Sequence, residues 1–234
     1  MQCVFLAAGR GTRLRPLTDT IPKPLLQIGG KPILAHNFEQ LPDEIDSVVL
    51  IVGWLGDKIR SYFGDNFLGR EIVYVEHKEM LGTGYALSLC RDMLSDKFIA
   101  MMGDNLYSKK DVEKCLRHDL CLSVKEVENP QDFAVVEIDA SGALKAVCEK
   151  PHNSESNLVN TALYVLDKRF FNYPLVKIPS GEYGLPQTIA VMARDCRIGI
   201  ERAEAWTEIN TPEDLKRAGY QFKVIRNLWA NENS

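Results

Sequence analysis

No apolar stretch in the chain approaches the roughly 20 residues needed to cross a bilayer, so a membrane-spanning helix is not expected. The N-terminus carries no basic segment ahead of its first apolar run, which therefore reads as a strand and not as a secretory signal. None of the six cysteines (Cys3, Cys90, Cys115, Cys121, Cys148, Cys196) falls in a C-x-x-C spacing, and most sit inside apolar runs. That argues against disulfides and zinc and for buried thiols in a reducing, cytoplasmic setting. A large excess of positive charge is also missing: the formal net charge is −4, which does not suit a long nucleic acid as partner. G-x-x-x-x-G-K-[ST] is absent, which excludes a P-loop. Gly9-Arg10-Gly11-Thr12-Arg13-Leu14 has leucine where a dinucleotide fingerprint needs its third glycine.

What is present is concentrated at the start. Val4-Phe5-Leu6-Ala7-Ala8 reads as a buried strand that breaks into Gly9 and Gly11 and then into cations. The glycines allow close backbone approach and φ > 0, so successive N–H groups can face an anion. Arg10, Arg13, Arg15, Lys23 and Lys31 stand against only Asp19 in the first 31 residues, giving this loop +4 and the remainder −8. A cationic loop on an acidic protein suits a compact polyanion such as a nucleoside triphosphate.

The chain's 234 residues, 45% hydrophobic and 26% charged, suffice for one large α/β domain. Strands are expected at 47–52, 72–75 and 98–102, and helices at about 33–41, 56–64 and 83–94, a pattern of crossover helices around a mostly parallel sheet. After residue 119 the pattern turns to strands at 122–127, 134–138 and 143–148, with Asp139-Ala140-Ser141-Gly142 as a hairpin loop. A helix at 184–194 and a C-terminal helix follow, the latter starting with Thr211 as N-cap, Pro212 at N1 and Asp214 at N3. With no repeat or linker, residues 1–234 read as one domain: a nucleotide-binding half to about 105 and a second half over 106–234.

G-x-G-T-R-L-x-P-x-T, followed by Pro22-Lys23-Pro24-Leu25, resembles the signature of sugar-1-phosphate nucleotidylyltransferases, including glucose-1-phosphate thymidylyltransferases and N-acetylglucosamine-1-phosphate uridylyltransferase domains. The resemblance runs to about residue 219 and implies a Rossmann-like fold of the nucleotide-diphospho-sugar transferase type: α/β, a mixed, mostly parallel sheet flanked by helices. It implies that Arg13 and Lys23 are catalytic, and that Leu6, Ala8, Gly9, Gly11, Thr12, Arg13 and Asp104 bind the nucleotide. Leu81-Gly82-Thr83-Gly84-Tyr85-Ala86 is similar to the uridylyltransferases' base-binding stretch. By that correspondence Gly82 and Thr83 face the base, and His77 stands where a base-reading side chain, often Gln, would be. Asp104 after its strand corresponds to a metal ligand, with Mg²⁺ as cofactor, and Glu208 stands for the second ligand, an Asp in the family. Glu149 and Lys150 match the family's E-K-P, read as sugar and sugar-phosphate contacts. Asn160 matches the Asn of N-x-G, with Ala162 in place of the glycine; Phe133-Ala134 likewise replaces Tyr-Gly.

The implied reaction is attack of a sugar 1-phosphate on the α-phosphorus of an NTP, yielding an NDP-sugar and pyrophosphate. The small residues of the base stretch leave a slot for the imide edge of a pyrimidine, with UTP or dTTP ahead of CTP. A cytidylyltransferase acting on a small non-sugar phosphate such as phosphocholine is the alternative. A glycosyltransferase would be expected to carry D-x-D, whereas Gly103-Asp104-Asn105 holds one Asp. No nucleic acid or membrane partner is expected, and assembly into a homo-oligomer stays open.

Overall fold

The computed structural model describes residues 1–220. Ten strands form its main sheet: β1 (Gln2–Ala7), β2 (Ser47–Val52), β3 (Asn66–Phe67), β4 (Arg70–Glu76), β5 (Lys97–Met102), β6 (Cys121–Glu126), β7 (Ala134–Ile138), β8 (Leu144–Glu149), β9 (Leu158–Asp167) and β10 (Gly199–Arg202). Strand β1 is central, parallel to both β2 and β5, with β4 parallel to β2. On the other side β9 runs antiparallel to β5 and β6 and touches β7, whose hairpin with β8 forms the far edge.

The central strands are apolar on both faces because both are covered. Cys3, Phe5 and Ala7 face a core built with Phe38, Ile59, Phe63 and Val112. These come from helices α1 (Ile33–Glu39), α2 (Gly56–Phe63) and α4 (Lys109–Leu116). Val4 and Leu6 face the opposite core, with Ala86 and Leu87 from α3 (Thr83–Ser88) and Leu185, Ile189 and Met192 from α5 (Leu185–Met192).

The parallel half follows the expected order, with shorter helices. The helix expected over 83–94 ends at Ser88, and the chain continues in i→i+3 turns (Cys90 N–H to Leu87 O, Met93 N–H to Cys90 O) that still bury Cys90 and Leu94. Two main-sheet strands of the second half are not foreseen from the sequence: β9, where Asn160-Thr161 interrupts the apolar run, and β10, whose Glu201 and Arg202 hide it. All six cysteines are free, with Cys148 exposed and Cys196 half-buried. Thr211 and Asp214 form the expected reciprocal cap: Thr211 Oγ1 accepts from Asp214 N (3.2 Å) and Asp214 Oδ2 from Thr211 N (2.9 Å). The expected C-terminal helix is present over 212–220, and the residues that follow lie outside the described residues. No helix among the described residues is long and apolar enough to cross a membrane.

Candidate active site

The loop after β1 is shaped by one buried leucine and one left-handed glycine. Leu14 is buried with Leu26, Ile28, Ile33 and Ile209, which leaves its neighbours Thr12 and Arg13 exposed. Gly11 sits at φ 61°, and a Cβ there would lie 3.0 Å from Thr18 Cγ2 and 3.1 Å from Lys23 Cβ. Gly9 is not at positive φ, contrary to expectation; it faces open space, with nothing within 4 Å of where a Cβ would stand. The backbone carbonyls of Leu6 and Ala8 accept from Gly103 N (2.9 Å) and Trp54 N (3.1 Å), tying this loop to the ends of β5 and β2.

The five cations of the opening segment do not converge. Arg15 pairs with Asp19, Lys31 with Glu39, and Arg10 lies over the Trp54 ring. Arg13 and Lys23 instead line one cavity of about 310 Å³. Lys23 is buried, and its Nζ sits 2.7 Å from Asp104 Oδ2 and 3.4 Å from Asn210 Oδ1.

Asp104 follows β5 at the sheet's C-terminal edge, where α/β sheets bind ligands. Gly103 makes the turn possible: a Cβ there would stand 3.1 Å from Ala7 Cβ. Asn105–Tyr107 then pairs antiparallel with Trp206–Glu208, placing Glu208 opposite Asn105 and thus beside the Asp104 turn. Ile209, fully buried with Leu14, pins the end of this ribbon to the loop after β1. Asp104 and Glu208 both line the cavity. Two carboxylates are hard oxygen donors that fit a divalent cation completing its shell with phosphate oxygens and water. The Tyr107 hydroxyl binds the carbonyls of Thr161 (3.0 Å) and Ala162 (3.1 Å), joining this turn to β9; burial holds it protonated, well above its ordinary pKa.

The opposite wall comes from the second half. Glu149 pairs with Ala134, and Lys150 turns at φ 42° with its N–H on Phe133 O (3.0 Å). Strand β9 is bulged between Asn160 and Tyr164, with Ala162 at φ 58°. Asn160 closes the bulge: Oδ1 accepts from Ala162 N (3.0 Å), and Nδ2 donates to Tyr164 Oη (2.7 Å). Left-handed backbone at non-glycine residues costs on the order of 1–3 kcal/mol and persists where surrounding structure enforces it. Glu149, Lys150 and Asn160 all line the same cavity as Arg13, Lys23, Asp104 and Glu208.

The residues expected from the sequence to face the base are arranged differently. Thr83 reaches the cavity, but its Oγ1 accepts from Leu185 N (3.1 Å). Gly82, at φ 99°, lies under Tyr183, whose carbonyl would be 2.6 Å from an added Cβ. His77 is buried and lines a separate cavity of about 500 Å³ with Arg10, Trp54 and Arg60. Its Nε2 accepts from Leu81 N (3.0 Å), so the ring orders the 77–81 turn and burial lowers its pKa. Sequence reasoning also missed Gln187, which lines the 310 Å³ cavity from the first turn of α5; a glutamine opening an apolar helix carries no signal of its own.

The sequence model of nucleotidyl transferases matches residues 2–223. The chain belongs to the nucleotidyl transferase family. Its relatives include the bifunctional protein GlmU of Methanocaldococcus jannaschii, 36% identical over 93% of this chain and 53% of that one. The UTP–glucose-1-phosphate uridylyltransferase AglF of Haloferax volcanii is also 36% identical, over 93% of this chain and 95% of that one. This nucleotidyl transferase spans about half the length of the bifunctional relatives it matches. A Bacillus anthracis structure described as a glucose-1-phosphate thymidylyltransferase superposes with TM-score 0.83 at 26% identity, covering 94% of each chain.

Proposed function

We propose that this nucleotidyl transferase joins a nucleoside monophosphate from an NTP to a sugar 1-phosphate, releasing pyrophosphate. The observation that carries the reading is the single cavity into which Arg13, Lys23, Asp104, Glu149, Lys150, Asn160 and Glu208 project from both halves of the chain. A phosphate monoester has a second pKa near ~6, so the nucleophile is ionised at neutral pH and needs no general base. The work left to the protein is alignment and charge stabilisation. Lys150 and Arg13 neutralise the approaching phosphates. Lys23, its ammonium already desolvated, stabilises negative charge on the leaving pyrophosphate. Glu149 and Asn160 supply acceptors and donors for sugar hydroxyls.

Asp104 and Glu208 are the groups that would hold Mg²⁺, which would neutralise phosphate charge. Leu6 near the end of β1, and Ala8, Gly9, Gly11 and Thr12 on the loop after it, would form the nucleotide side. Gly82 and Thr83 would flank a pyrimidine, with UTP or dTTP ahead of CTP, in keeping with the uridylyl and thymidylyl transfers in the relatives' names. His77 would act on the base through the turn it orders. We place the activity in the cytoplasm, with both halves of the chain serving one site for small-molecule substrates.

The relatives' names, which point to sugar 1-phosphates, do not favour the second reading, a cytidylyltransferase on phosphocholine; its one structural attraction is an aromatic pair. Phe133 and Trp206, in edge contact with centroids 6.0 Å apart, line the acceptor cavity and could face a quaternary ammonium. A pyrophosphate-release screen pairing UTP, dTTP, CTP, ATP and GTP with glucose 1-phosphate, N-acetylglucosamine 1-phosphate and phosphocholine separates the two. Turnover with a sugar 1-phosphate supports the first; turnover confined to CTP and phosphocholine overturns it.

A further inference from the structure

Gln187 is held against Glu149 by an arrangement that only a glycine at 184 permits. Its Nε2 donates to Glu149 Oε2 at 3.3 Å, and both side chains line the acceptor cavity. A Cβ on Gly184 would stand 1.9 Å from Gln187 Oε1 and 2.8 Å from its Cδ, so the amide occupies the space that a side chain at 184 would take. The start of α5 that carries Gln187 is itself fixed. Tyr183 N donates to Leu81 O (2.7 Å), Leu185 N to Thr83 Oγ1 (3.1 Å), and Thr188 Oγ1 to Gly184 O (2.8 Å). A neutral amide donor on one carboxylate oxygen orients the group without adding a charge to it, and leaves the other oxygen to accept from a hydroxyl.

We propose that Gln187 is a positioning residue for the acceptor, setting the Glu149 carboxylate so that its free oxygen reads a sugar hydroxyl. The inference rests on the sugar-binding reading of Glu149 given above. Gly184 is the second half of the device, because any side chain there displaces the amide.

The test compares steady-state kinetics of wild type, Gln187→Glu, Gln187→Met, Gly184→Ala and Glu149→Gln. UTP is paired with glucose 1-phosphate or N-acetylglucosamine 1-phosphate, whichever turns over faster. Gln187→Glu keeps the shape but sets two carboxylates against each other. Its KM for the sugar 1-phosphate should rise at least about tenfold, with KM for UTP within about twofold of wild type. Gln187→Met should move the same constant by less, and Gly184→Ala should resemble it. A purely structural role would move both KM values and the melting temperature together. An unchanged sugar-phosphate KM in Gln187→Glu, while Glu149→Gln raises it, overturns the proposal and leaves the reading of Glu149 standing. An unchanged KM in Glu149→Gln overturns both.

Discussion

Lys23 and Arg13 are both cations of one motif, yet their surroundings separate what their loss should do. Arg13 is exposed, whereas Lys23 is buried against Asp104 at 2.7 Å. Arg13→Ala should lower turnover by about 10²–10³ while leaving the melting temperature close to wild type. Lys23→Ala should lose comparable turnover and also stability, because it strands a partly buried carboxylate, a loss of about 1–3 kcal/mol. Thermal melts alongside pyrophosphate-release rates check the split; near-normal turnover in Lys23→Ala would remove the lysine from the chemistry. The two residues were legible in the sequence as a pair. Their different burial was not, because it depends on Asp104, which lies 81 positions further along the chain. His77 makes a similar point. Its folded-state pKa lies below the ordinary value of 6.5 because burial disfavours the imidazolium, and its Nε2 must stay unprotonated to accept from Leu81 N–H. Its contribution is therefore complete above about pH 6.5 and is lost as pH falls through the lowered pKa. Wild type should lose more stability than His77→Gln between about pH 7 and 5, measured as melting temperature across pH; parallel curves would contradict this.

Among the elements, the cavity wall built by β8 and β9 depends on backbone that its own side chains resist. Ala162 occupies a left-handed position (φ 58°) in the β9 bulge, where the family pattern has glycine. Ala162→Gly should be neutral or stabilising by up to about 1 kcal/mol, since relief of strain exceeds the added freedom of the unfolded chain. Ala100→Gly, in the regular part of buried β5, should instead cost about 1 kcal/mol. Chemical denaturation of both variants checks the contrast, and destabilisation by Ala162→Gly would show that the bulge is not strained. The parallel strands β1, β2, β4 and β5 were readable because each carries a continuous apolar run closed by turn residues. β9 was not, because Asn160 and Thr161 break its run to serve the bulge. The functional detail thus erased the local signal of the element that carries it.

For the whole molecule, the position of the cavity follows from one continuous sheet. β1 and β5 deliver the cationic loop and Asp104 to the sheet's C-terminal edge, and β7, β8 and β9 bring Glu149, Lys150 and Asn160 to face them. The ribbon Trp206–Glu208 closes the circle by pairing with Asn105–Tyr107. Most of these residues could be assigned from motif resemblance, but only the assembled chain brings the two halves to one 310 Å³ space. Chelation should abolish turnover and Mg²⁺ should restore it. Asp104→Asn should be nearly inactive, and Glu208→Asp should retain substantial activity; persistent turnover under chelation would refute the role given to the two carboxylates. The central claim, that this space joins an NTP to a sugar 1-phosphate, is tested most directly by pyrophosphate release. The enzyme, with Mg²⁺, is given each common NTP against glucose 1-phosphate and N-acetylglucosamine 1-phosphate. Release should require both substrates and be fastest with UTP or dTTP; release that is independent of the sugar phosphate, or none with any pair, would rule this reaction out.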